Sequence, residues 1–251
     1  MTTERTERES YILELLAKDG SLSVSALSKD LGVSEVTIRA NLKSLEERGL
    51  LARTWGGAKA SSLANVVERL RVHEDEKERI AAAAAALVRD DDRIMIEAGT
   101  TTALIVRHLA GRSGVQIVTN STLVFNYART NPALGVILTG GHYHRESESL
   151  VGPVALRAIA GFNARIVFVG TDGFTSDRGL TTQFSEGADV INAMSRRAEE
   201  TWLVADSSKY GRAGFVSVLG LEQLTGVITD SRLGAGSLEA LQQVAPTVRI
   251  V

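Results

Sequence analysis

Glycine and hydroxyl residues suited to phosphate binding stand together in the segment Ala98-Gly-Thr-Thr-Thr. The segment follows an apolar run that is predicted to be a strand and opens a predicted helix. Gly99 lets the backbone approach a ligand, the hydroxyls of Thr100, Thr101 and Thr102 are donors, and the first amides of a helix attract an anion. This pattern predicts a phosphate site, although a threonine-rich cap between strand and helix has the same pattern. It is neither a Walker loop nor G-x-G-x-x-G, so no nucleotide cofactor is expected.

Three further polar loops follow predicted strands, at the position where ligands of open parallel sheets gather. Asn120 and Ser121 are candidate donors to an anion, with a simple helix cap as the alternative. Asp172 and Gly173 form a turn whose carboxylate suits sugar hydroxyls, with an ordinary turn aspartate as the alternative. Lys209 is a candidate partner for a phosphate, although most lysines are simply solvated. Because parallel strands end at one edge of a sheet, we expect the four loops to converge there.

The elements that would hold these loops alternate between apolar runs and helical patterns from about residue 90. This texture predicts an α/β domain with an open, mostly parallel, Rossmann-like sheet covered on both faces. The predicted strands are Arg93–Glu97, Val115–Thr119, Gly135–Thr139, Arg165–Val169, Thr201–Ala205, Gly226–Thr229 and Thr247–Val251. The predicted helices are Thr102–Leu109, Ser121–Arg129, Val154–Ile159, Glu186–Glu200 and Ser237–Val244.

Residues 1–58 have a different texture, with three helical stripes followed by a short hairpin or wing at Leu50–Gly57. The third helix begins after Ser34, a good N-cap, and its period places Ile38, Leu42 and Leu45 on the buried side. A helix, a short turn and a second helix form the arrangement that inserts the second helix into the major groove of DNA.

Residues on the opposite side of the third helix, together with the wing, are the candidate DNA contacts. Arg39 and Lys43 suit phosphates or guanine edges, and Val36 suits a thymine methyl group. The full set of candidates is Ser34, Val36, Thr37, Arg39, Lys43, Arg53 and Trp55. Trp55 and Trp202 are also the kind of residue that usually packs rather than stacks on a base.

Charge gives no independent sign of nucleic-acid binding. The chain has 28 Lys and Arg against 30 Asp and Glu, and the formal net charge is −2. Residues 1–58 hold 8 basic and 9 acidic side chains, so a helical packing or protein-docking domain stays open beside the DNA interpretation.

Several other classes are excluded or disfavoured. The chain has no cysteine, which excludes disulfides, thiolate zinc sites and cysteine nucleophiles. No apolar run spans a membrane and the first residues lack a signal core, so a cytoplasmic protein without membrane contact is expected. His142-Tyr-His144 and Asp90–Asp92 contain candidate metal ligands. A solvent loop explains the first segment better and a turn explains the second, so no metal is expected.

Two sets of motifs resemble one family. The first set is Arg8-Glu-Ser-Tyr-Ile-Leu-Glu-Leu-Leu, Leu22-Ser-Val-Ser-Ala-Leu-Ser-Lys-Asp-Leu-Gly-Val-Ser-Glu-Val-Thr-Ile-Arg and Leu45-Glu-Glu-Arg-Gly-Leu-Leu-Ala-Arg-Thr-Trp-Gly-Gly-Ala. The second set is Glu97-Ala-Gly-Thr-Thr-Thr, Val118-Thr-Asn-Ser, Leu138-Thr-Gly-Gly, Leu150-Val-Gly-Pro, Gly170-Thr-Asp-Gly, Gly179-Leu-Thr-Thr and Ala205-Asp-Ser-Ser-Lys-Tyr-Gly-Arg. The chain resembles the DeoR family of bacterial transcriptional regulators, whose effector domain is similar to ribose-5-phosphate isomerase and glucosamine-6-phosphate deaminase.

The resemblance implies a winged helix-turn-helix at 1–58, a linker and connecting helix at 59–90, and an effector-binding and oligomerisation domain at 91–251. It implies a repressor of sugar or polyol catabolism that binds operator DNA as a homo-oligomer and senses a phosphorylated sugar. Glu186 matches the pattern of the family and is therefore included among the candidate effector-binding residues. Two family features are absent: a basic residue and Asp are replaced by Ala40 and Asn41, and a usual lysine by Ile191.

Two alternatives remain from other classes. One is a sugar-phosphate isomerase or deaminase with an appended helical domain, in which Asp172, Glu186 and Lys209 are the acid–base candidates. The other is a sensor that acts through protein partners alone.

Overall fold

The computed structural model describes residues 8–13, 15–16, 21–47, 50–60, 66 and 69–251, with the backbone alone at Lys59 and Ala60. The chain divides into an N-terminal unit, Met1–Val72, and a C-terminal unit, His73–Val251. The helix Glu74–Ala85 packs into the core of the C-terminal unit. Of the predicted 59–90 linker, residues 61–65 and 67–68 lie outside the described residues.

Polar caps and one glycine delimit the helices of the N-terminal unit. Ser23 Oγ accepts a hydrogen bond from Ala26 N at 3.0 Å, and Gly32, at φ 63°, ends that helix in the left-handed region. Ser34 Oγ accepts a hydrogen bond from Thr37 N at 3.2 Å, which confirms the predicted cap of the next helix. The helical stretches are 8–13 with 15–16, α1 at Val24–Leu31 and α2 at Glu35–Glu47.

The wing is part of a three-stranded antiparallel sheet in the order β1-β3-β2. Its strands are β1 at Ser21–Ser23, β2 at Leu51–Thr54 and β3 at Gly57–Ala60. The sequence predicts the hairpin but not β1. A strand of three residues with one apolar side chain has no local signal, and pairing with β3 creates it.

The core of the N-terminal unit follows the predicted helical period. Ile38, Leu42 and Leu45 are buried, and they pack with Ile12, Leu16 and Leu27 from the other helical stretches. Asn41 is buried as well, at 3% exposure. The family difference at Asn41 therefore lies inside the unit and not on the displayed face of α2.

The C-terminal unit is built on a seven-stranded sheet in the order β15-β14-β12-β9-β4-β5-β6. Every pairing in it is parallel, as predicted for strands with continuous apolar runs. All seven predicted strands are present, with ends shifted by a few residues. They are β4 at Arg93–Ile96, β5 at Gln116–Thr119, β6 at Gly135–Leu138, β9 at Ala164–Val169, β12 at Ala198–Val204, β14 at Gly226–Thr229 and β15 at Val248–Ile250.

Helices cover both faces of this sheet, so the sheet separates two hydrophobic clusters. Ile94, Ile96 and Ile117 point into one cluster, while Met95 and Val118 point into the other. The helices are α3 at Glu74–Ala85, α4 at Thr100–Leu104, α5 at Thr122–Ala128, α6 at Pro153–Ala160, α7 at Ser185–Ser195 and α8 at Ala235–Val244. Short 3₁₀ segments lie at Ile105–Leu109, Ser207–Lys209 and Leu221–Gln223.

Two helix predictions are wrong in part. The helix predicted over Glu186–Glu200 stops at Ser195, because β12 begins at Ala198 and pairs with β9. Its last predicted residue, Glu200, is therefore in a strand. The predicted Thr102–Leu109 helix is an α-helical turn followed by a 3₁₀ segment.

Two small sheets accompany the large one. The hairpin of β7, His142–His144, and β8, Ser149–Val151, replaces the predicted solvent loop around His142. Another antiparallel sheet joins β10 at Gly173–Thr175, β11 at Gly179–Thr182 and β13 at Val216–Ser217 in that order. Within the described part of the chain, no helix has the length and apolar character needed to cross a membrane.

Candidate DNA-reading and ligand sites

The exposed face of α2 carries the cationic side chains predicted to meet DNA. Val36 is 76% exposed, and the Arg39 and Lys43 side chains are 57% and 66% exposed. Each cation is near an acid one helical turn away: Arg39 Nη2 lies 2.8 Å from Glu35 Oε2, and Lys43 Nζ lies 3.8 Å from Glu47 Oε1. Such exposed pairs contribute little to stability, so both cations are free to exchange partners.

The start of α2 is more tightly arranged. The Ser34 and Thr37 hydroxyls lie 3.0 Å apart, and Ser34 Oγ also accepts the Thr37 amide hydrogen bond. Both residues therefore hold the helix start, where the first amides and the helix dipole favour a phosphate.

The two candidate DNA contacts in the wing, Arg53 and Trp55, differ in their surroundings. Glu46 Oε1 accepts a hydrogen bond from Arg53 N at 3.0 Å, and Glu46 Oε2 lies 3.5 Å from Arg53 Nε, so Arg53 is held against the end of α2. Trp55 is fully exposed, at 105% of its reference area, on the turn between β2 and β3. The expectation that Trp55 packs is therefore wrong, whereas Trp202 is buried at 4% exposure as expected.

The strand order of the large sheet creates a topological switch point. From β4 the chain runs outward through β5 to β6, and it returns to the other side of β4 through β9. The loops after β4 and β9 therefore leave the carboxyl edge in opposite directions, which opens the crevice where ligands of such sheets bind. The loops of residues 97–100 and 170–172 border this crevice.

The loop after β4 holds fewer free hydroxyls than its sequence indicates. Thr102 is fully buried and its hydroxyl donates to the Gly99 carbonyl at 3.0 Å, so Thr102 closes the turn and cannot reach a ligand. Gly99 is extended, at φ −177°, and does not need glycine's conformational freedom. A Cβ there would still lie 2.9 Å from Thr102 Oγ1. Thr100 is half-buried and Thr101 is 8% exposed.

The polar side chains of the loop after β5 form hydrogen bonds within the fold. Asn120 is 1% exposed, its Oδ1 accepts from Ala98 N at 3.0 Å and its Nδ2 donates to the Leu150 carbonyl at 3.3 Å. Ser121 is fully buried, and its Oγ accepts from Val124 N at 3.2 Å. The helix-cap alternative therefore describes Ser121, and Asn120 joins neighbouring loops.

Asp172 and Gly173 also differ from each other. Asp172 Oδ2 accepts hydrogen bonds from the Thr182 hydroxyl at 3.0 Å and from Gln183 N at 2.9 Å, while the residue stays half-buried at the crevice. Gly173 is buried at the start of β10, where a Cβ would lie 2.5 Å from the Arg212 carbonyl oxygen. Gly173 serves close backbone packing, and Asp172 keeps a carboxylate at the edge.

Glu186 and Lys209 occupy different parts of the carboxyl edge. Glu186 is exposed on the first turn of α7, and its own backbone amide, the Ser185 hydroxyl and the His144 and His142 side chains hold its pKa below the usual range. Lys209 is half-buried in the 3₁₀ turn after β12, and β9 separates β12 from β4.

Glu97 is the group at the switch point that sequence reasoning did not select. It is 7% exposed, and its Oε2 accepts a hydrogen bond from Gly170 N at 3.2 Å, which joins the loops after β4 and β9. Burial raises the pKa of Glu97 to about 8, and the charge of Asp172 adds to this effect. An acid directly after an apolar strand was the available signal.

The β7–β8 hairpin forms the remaining rim of the crevice. Leu150 N donates to the Asn120 carbonyl at 2.7 Å, which fixes the hairpin beside the loop after β5. At its other end, the His144 ring stacks on Phe184 with centroids 4.2 Å apart. Within the described residues no group of three or more His, Cys, Asp and Glu side chains forms a metal site.

Comparisons with known proteins identify the family of the chain. A family model described as DeoR-like helix-turn-helix domain matches residues 8–63, and one described as DeoR C terminal sensor domain matches residues 72–231, more than half of the chain. The chain belongs to the DeoR family. It is accordingly a transcriptional regulator with a DNA-binding helix-turn-helix followed by a sensor domain for a small-molecule effector.

Relatives of similar length carry regulator names. The chain is 34% identical to the HTH-type transcriptional regulator GlpR of Haloferax volcanii, over 96% of both chains. It is 31% identical to the putative aga operon transcriptional repressor of Escherichia coli O157:H7, over 99% of this chain and 95% of that protein. It is 32% identical to the HTH-type transcriptional repressor CsqR of Escherichia coli K12, over 94% and 91%.

Solved structures resemble the chain more distantly. Ribose 5-phosphate isomerase A from Methanocaldococcus jannaschii aligns with a TM-score of 0.42 and 20% identity over 55% of each chain. The translation initiation factor eIF-2B from Pyrococcus horikoshii aligns with a TM-score of 0.44 and 15% identity over 90% and 88%. At these values the similarities identify neither a ligand nor a reaction. The DeoR-family relatives are named as regulators and not as enzymes.

Proposed function

We propose that this DeoR-family chain represses a sugar or polyol catabolic operon and that a phosphorylated sugar bound to its C-terminal unit controls its affinity for operator DNA. The observation that carries the proposal is the switch point between β4 and β9, where a hydrogen bond from Gly170 N to Glu97 joins the loops at 97–100 and 170–172. Two of the relatives are named repressors, which supports the sign of the regulation.

Operator recognition is assigned to α2 and the wing. Val36, Arg39 and Lys43 face outward on α2, where they suit base edges and phosphates. Ser34 and Thr37 hold the amides at the helix start for a phosphate, while Arg53 and Trp55 lie in the wing. A groove-inserting helix reads one half-site, so recognition of two half-sites calls for a homo-oligomer, at least a dimer. The site of action is then the cytoplasm, where operator DNA is found.

Effector recognition is assigned to the crevice at the carboxyl edge. The amides of Gly99, Thr100 and Thr101 suit a phosphate, because amides at the start of a helix attract an anion. Asp172 and Glu186 are carboxylates that suit sugar hydroxyls, and Lys209 is a cation within the same edge. Thr102, Asn120, Ser121 and Gly173 support this crevice through the backbone contacts they make, rather than by touching the ligand.

The isomerase or deaminase alternative is disfavoured by a specific residue. Ile191, at the place of a lysine usual in the family, is 4% exposed within the hydrophobic core and offers no acid–base group. Turnover assays with pentose and hexosamine phosphates separate the enzyme from the regulator directly.

The decisive experiment changes the basic face of α2. Arg39→Ala combined with Lys43→Ala should abolish operator retention on DNA from upstream of the gene, because two cations that suit phosphates or base edges are removed. The slope of log K against log salt should become shallower by about 0.9 for each phosphate that is no longer neutralised. Fluorescence anisotropy at several salt concentrations measures both effects.

The control is a double substitution of equal charge in the C-terminal unit, Arg93→Ala with Arg129→Ala, both of which are exposed. This control should bind the operator as the wild type does. A thermal-shift screen with sugar and polyol phosphates should give the same effector response for all three proteins. Loss of effector binding together with DNA binding in a folded Arg39 and Lys43 variant would contradict the assigned division of roles.

A further inference from the structure

We propose that His144 is an additional effector-contacting residue, which donates a hydrogen bond from its Nε2 atom to a phosphoryl oxygen of the ligand. The inference rests on the proposed function, since it assigns a further residue to the same crevice. It concerns a histidine that no sequence motif connects with the loops at 97–100 and 170–172.

The first support is a closed series of contacts around the carboxyl end of β4. Glu97 bonds to Gly170 N at 3.2 Å, and Asp172, two residues on, accepts from Gln183 N at 2.9 Å. Phe184 follows Gln183 and stacks on His144.

The series returns to its start through the hairpin. His144 pairs with Ser149 in the hairpin register, and the adjacent Leu150 exchanges hydrogen bonds with Asn120. Asn120 Oδ1 then accepts from Ala98 N at 3.0 Å, next to Glu97. His144 is thus part of the rim around the end of β4, connected to the loop of Gly99 through the hairpin and Asn120.

The second support is the way the imidazole is held. Its ring lies 8° from parallel to the Phe184 ring with centroids 4.2 Å apart, which covers one face. Phe184 is itself fixed close to α7, because a Cβ at Gly187 would lie 2.7 Å from the tip of the Phe184 ring. A ring fixed in this way offers its remaining edge without further loss of side-chain entropy.

The third support is the hydrogen bonding of the two ring nitrogens. His144 Nδ1 lies 2.8 Å from Ser147 Oγ, which lies 2.6 Å from the buried Ser149 Oγ. When Ser149 donates to Ser147 and Ser147 donates to Nδ1, the ring proton is on Nε2. Among the described residues Nε2 forms no hydrogen bond, and the ring interacts with the nearby Glu186 carboxylate only through its charge, so this N–H is available to a ligand oxygen.

The chemistry of the rim favours the phosphoryl group over a hydroxyl as the partner of His144. Asp172 and Glu186 already provide acceptors for hydroxyls, whereas a phosphate needs donors. The amides after Ala98 and the His144 ring are donors on this rim, and Asn120 and the hairpin connect the segments that carry them. One phosphate between them would satisfy both.

The test follows the histidine rings of the full-length protein by NMR while inorganic phosphate is added at constant ionic strength. The chain has 4 histidines, and all of them are in the C-terminal unit. Saturable shifts of the His144 ring signals, together with shifts of the Gly99–Thr101 amides, are expected. His144→Phe keeps a ring against Phe184 and should weaken phosphate binding at least tenfold, with an unchanged unfolding temperature.

Tyr143→Phe is the matched control, because Tyr143 is on the opposite side of β7 and its hydroxyl contacts Glu148. It should bind phosphate as the wild type does. Amide shifts without any change at His144, and full affinity in His144→Phe, would overturn the proposal and leave the proposed function standing. If added phosphate shifts neither the Gly99–Thr101 amide signals nor the His144 ring signals, the result contradicts both this proposal and the proposed function.

Discussion

At the scale of single residues, Glu97 is a buried acid at the switch point of the C-terminal unit. Its carboxyl group is 7% exposed and bridges two loops by accepting from Gly170 N. Burial raises its pKa from 4.5 to about 8, so the folded protein binds a proton at neutral pH that the unfolded chain has released. Stability is therefore lost as the pH rises through the window between these two values and is constant above it.

Glu97→Gln should remove this pH dependence. Between pH 5 and pH 8.5, the free energy of unfolding of the variant should rise relative to that of the wild type by on the order of 2–4 kcal/mol, at about 1.36 kcal/mol per pKa unit. Urea unfolding followed by the fluorescence of buried Trp202, in a Trp55→Phe background, measures the difference. Glu239→Gln, on an exposed helix position, is the control. Parallel pH profiles of Glu97→Gln and the wild type would contradict the assignment.

Trp55 is a second residue whose setting allows a test of its proposed role. Its full exposure means that it gives no packing energy, so its removal should leave folding intact. Trp55→Ala should weaken operator binding about tenfold, equivalent to about 1.4 kcal/mol, because the aromatic group that we propose to contact the DNA is removed. Anisotropy titration measures the affinity, and Phe215→Ala, 88% exposed in the C-terminal unit, is the control. Equal operator affinities of Trp55→Ala and the wild type would remove Trp55 from the DNA interface.

At the scale of elements, the wing depends on one close backbone approach. A Cβ on Gly57 would lie 2.0 Å from the Leu22 carbonyl oxygen, so only glycine permits the pairing of β1 with β3. This pairing joins the wing to the segment that leads into α1.

Gly57→Ala should therefore destabilise the N-terminal unit by roughly 2–4 kcal/mol. Hydrogen exchange of the β3 amides should accelerate, and operator affinity should fall because the wing is displaced. Gly234→Ala provides the comparison, since nothing lies within 4 Å of the added Cβ. Unchanged protection of β3 in Gly57→Ala would show that the strand accommodates the methyl group.

At the scale of the whole molecule, the proposed function links an effector site in one unit to a DNA site in the other. Linkage requires the coupling to be reciprocal, so an effector that lowers operator affinity must itself bind more weakly to the DNA complex by the same factor. Allosteric coupling usually corresponds to a factor of about 5 to 150.

For the sugar phosphate that gives the largest thermal shift, we expect equal factors from two titrations. One titrates operator into the protein with and without the effector, and the other titrates the effector with and without operator. The Arg39 and Lys43 double variant should show no effect of operator on effector affinity. A change in operator affinity without the reciprocal change would mean that the two ligands do not act through the folded molecule alone.

The sequence by itself determined the elements whose signals are local. Seven apolar runs predicted the seven parallel strands, and the helical period predicted that Ile38, Leu42 and Leu45 are buried, because burial on a repeating face is encoded within a few neighbouring residues. The motifs likewise indicated the family, which the family models confirm.

Tertiary structure alone decided which side chains face the crevice. Glu97 and Gly170 are 73 residues apart in the chain, and the partners of Asn120 are 22 and 30 residues away. A polar residue after a strand has the same sequence pattern whether it faces a ligand or bonds to a neighbouring loop. Only the strand order, which brings these loops together, distinguishes Asn120, held inside the fold, from Asp172, left at the edge.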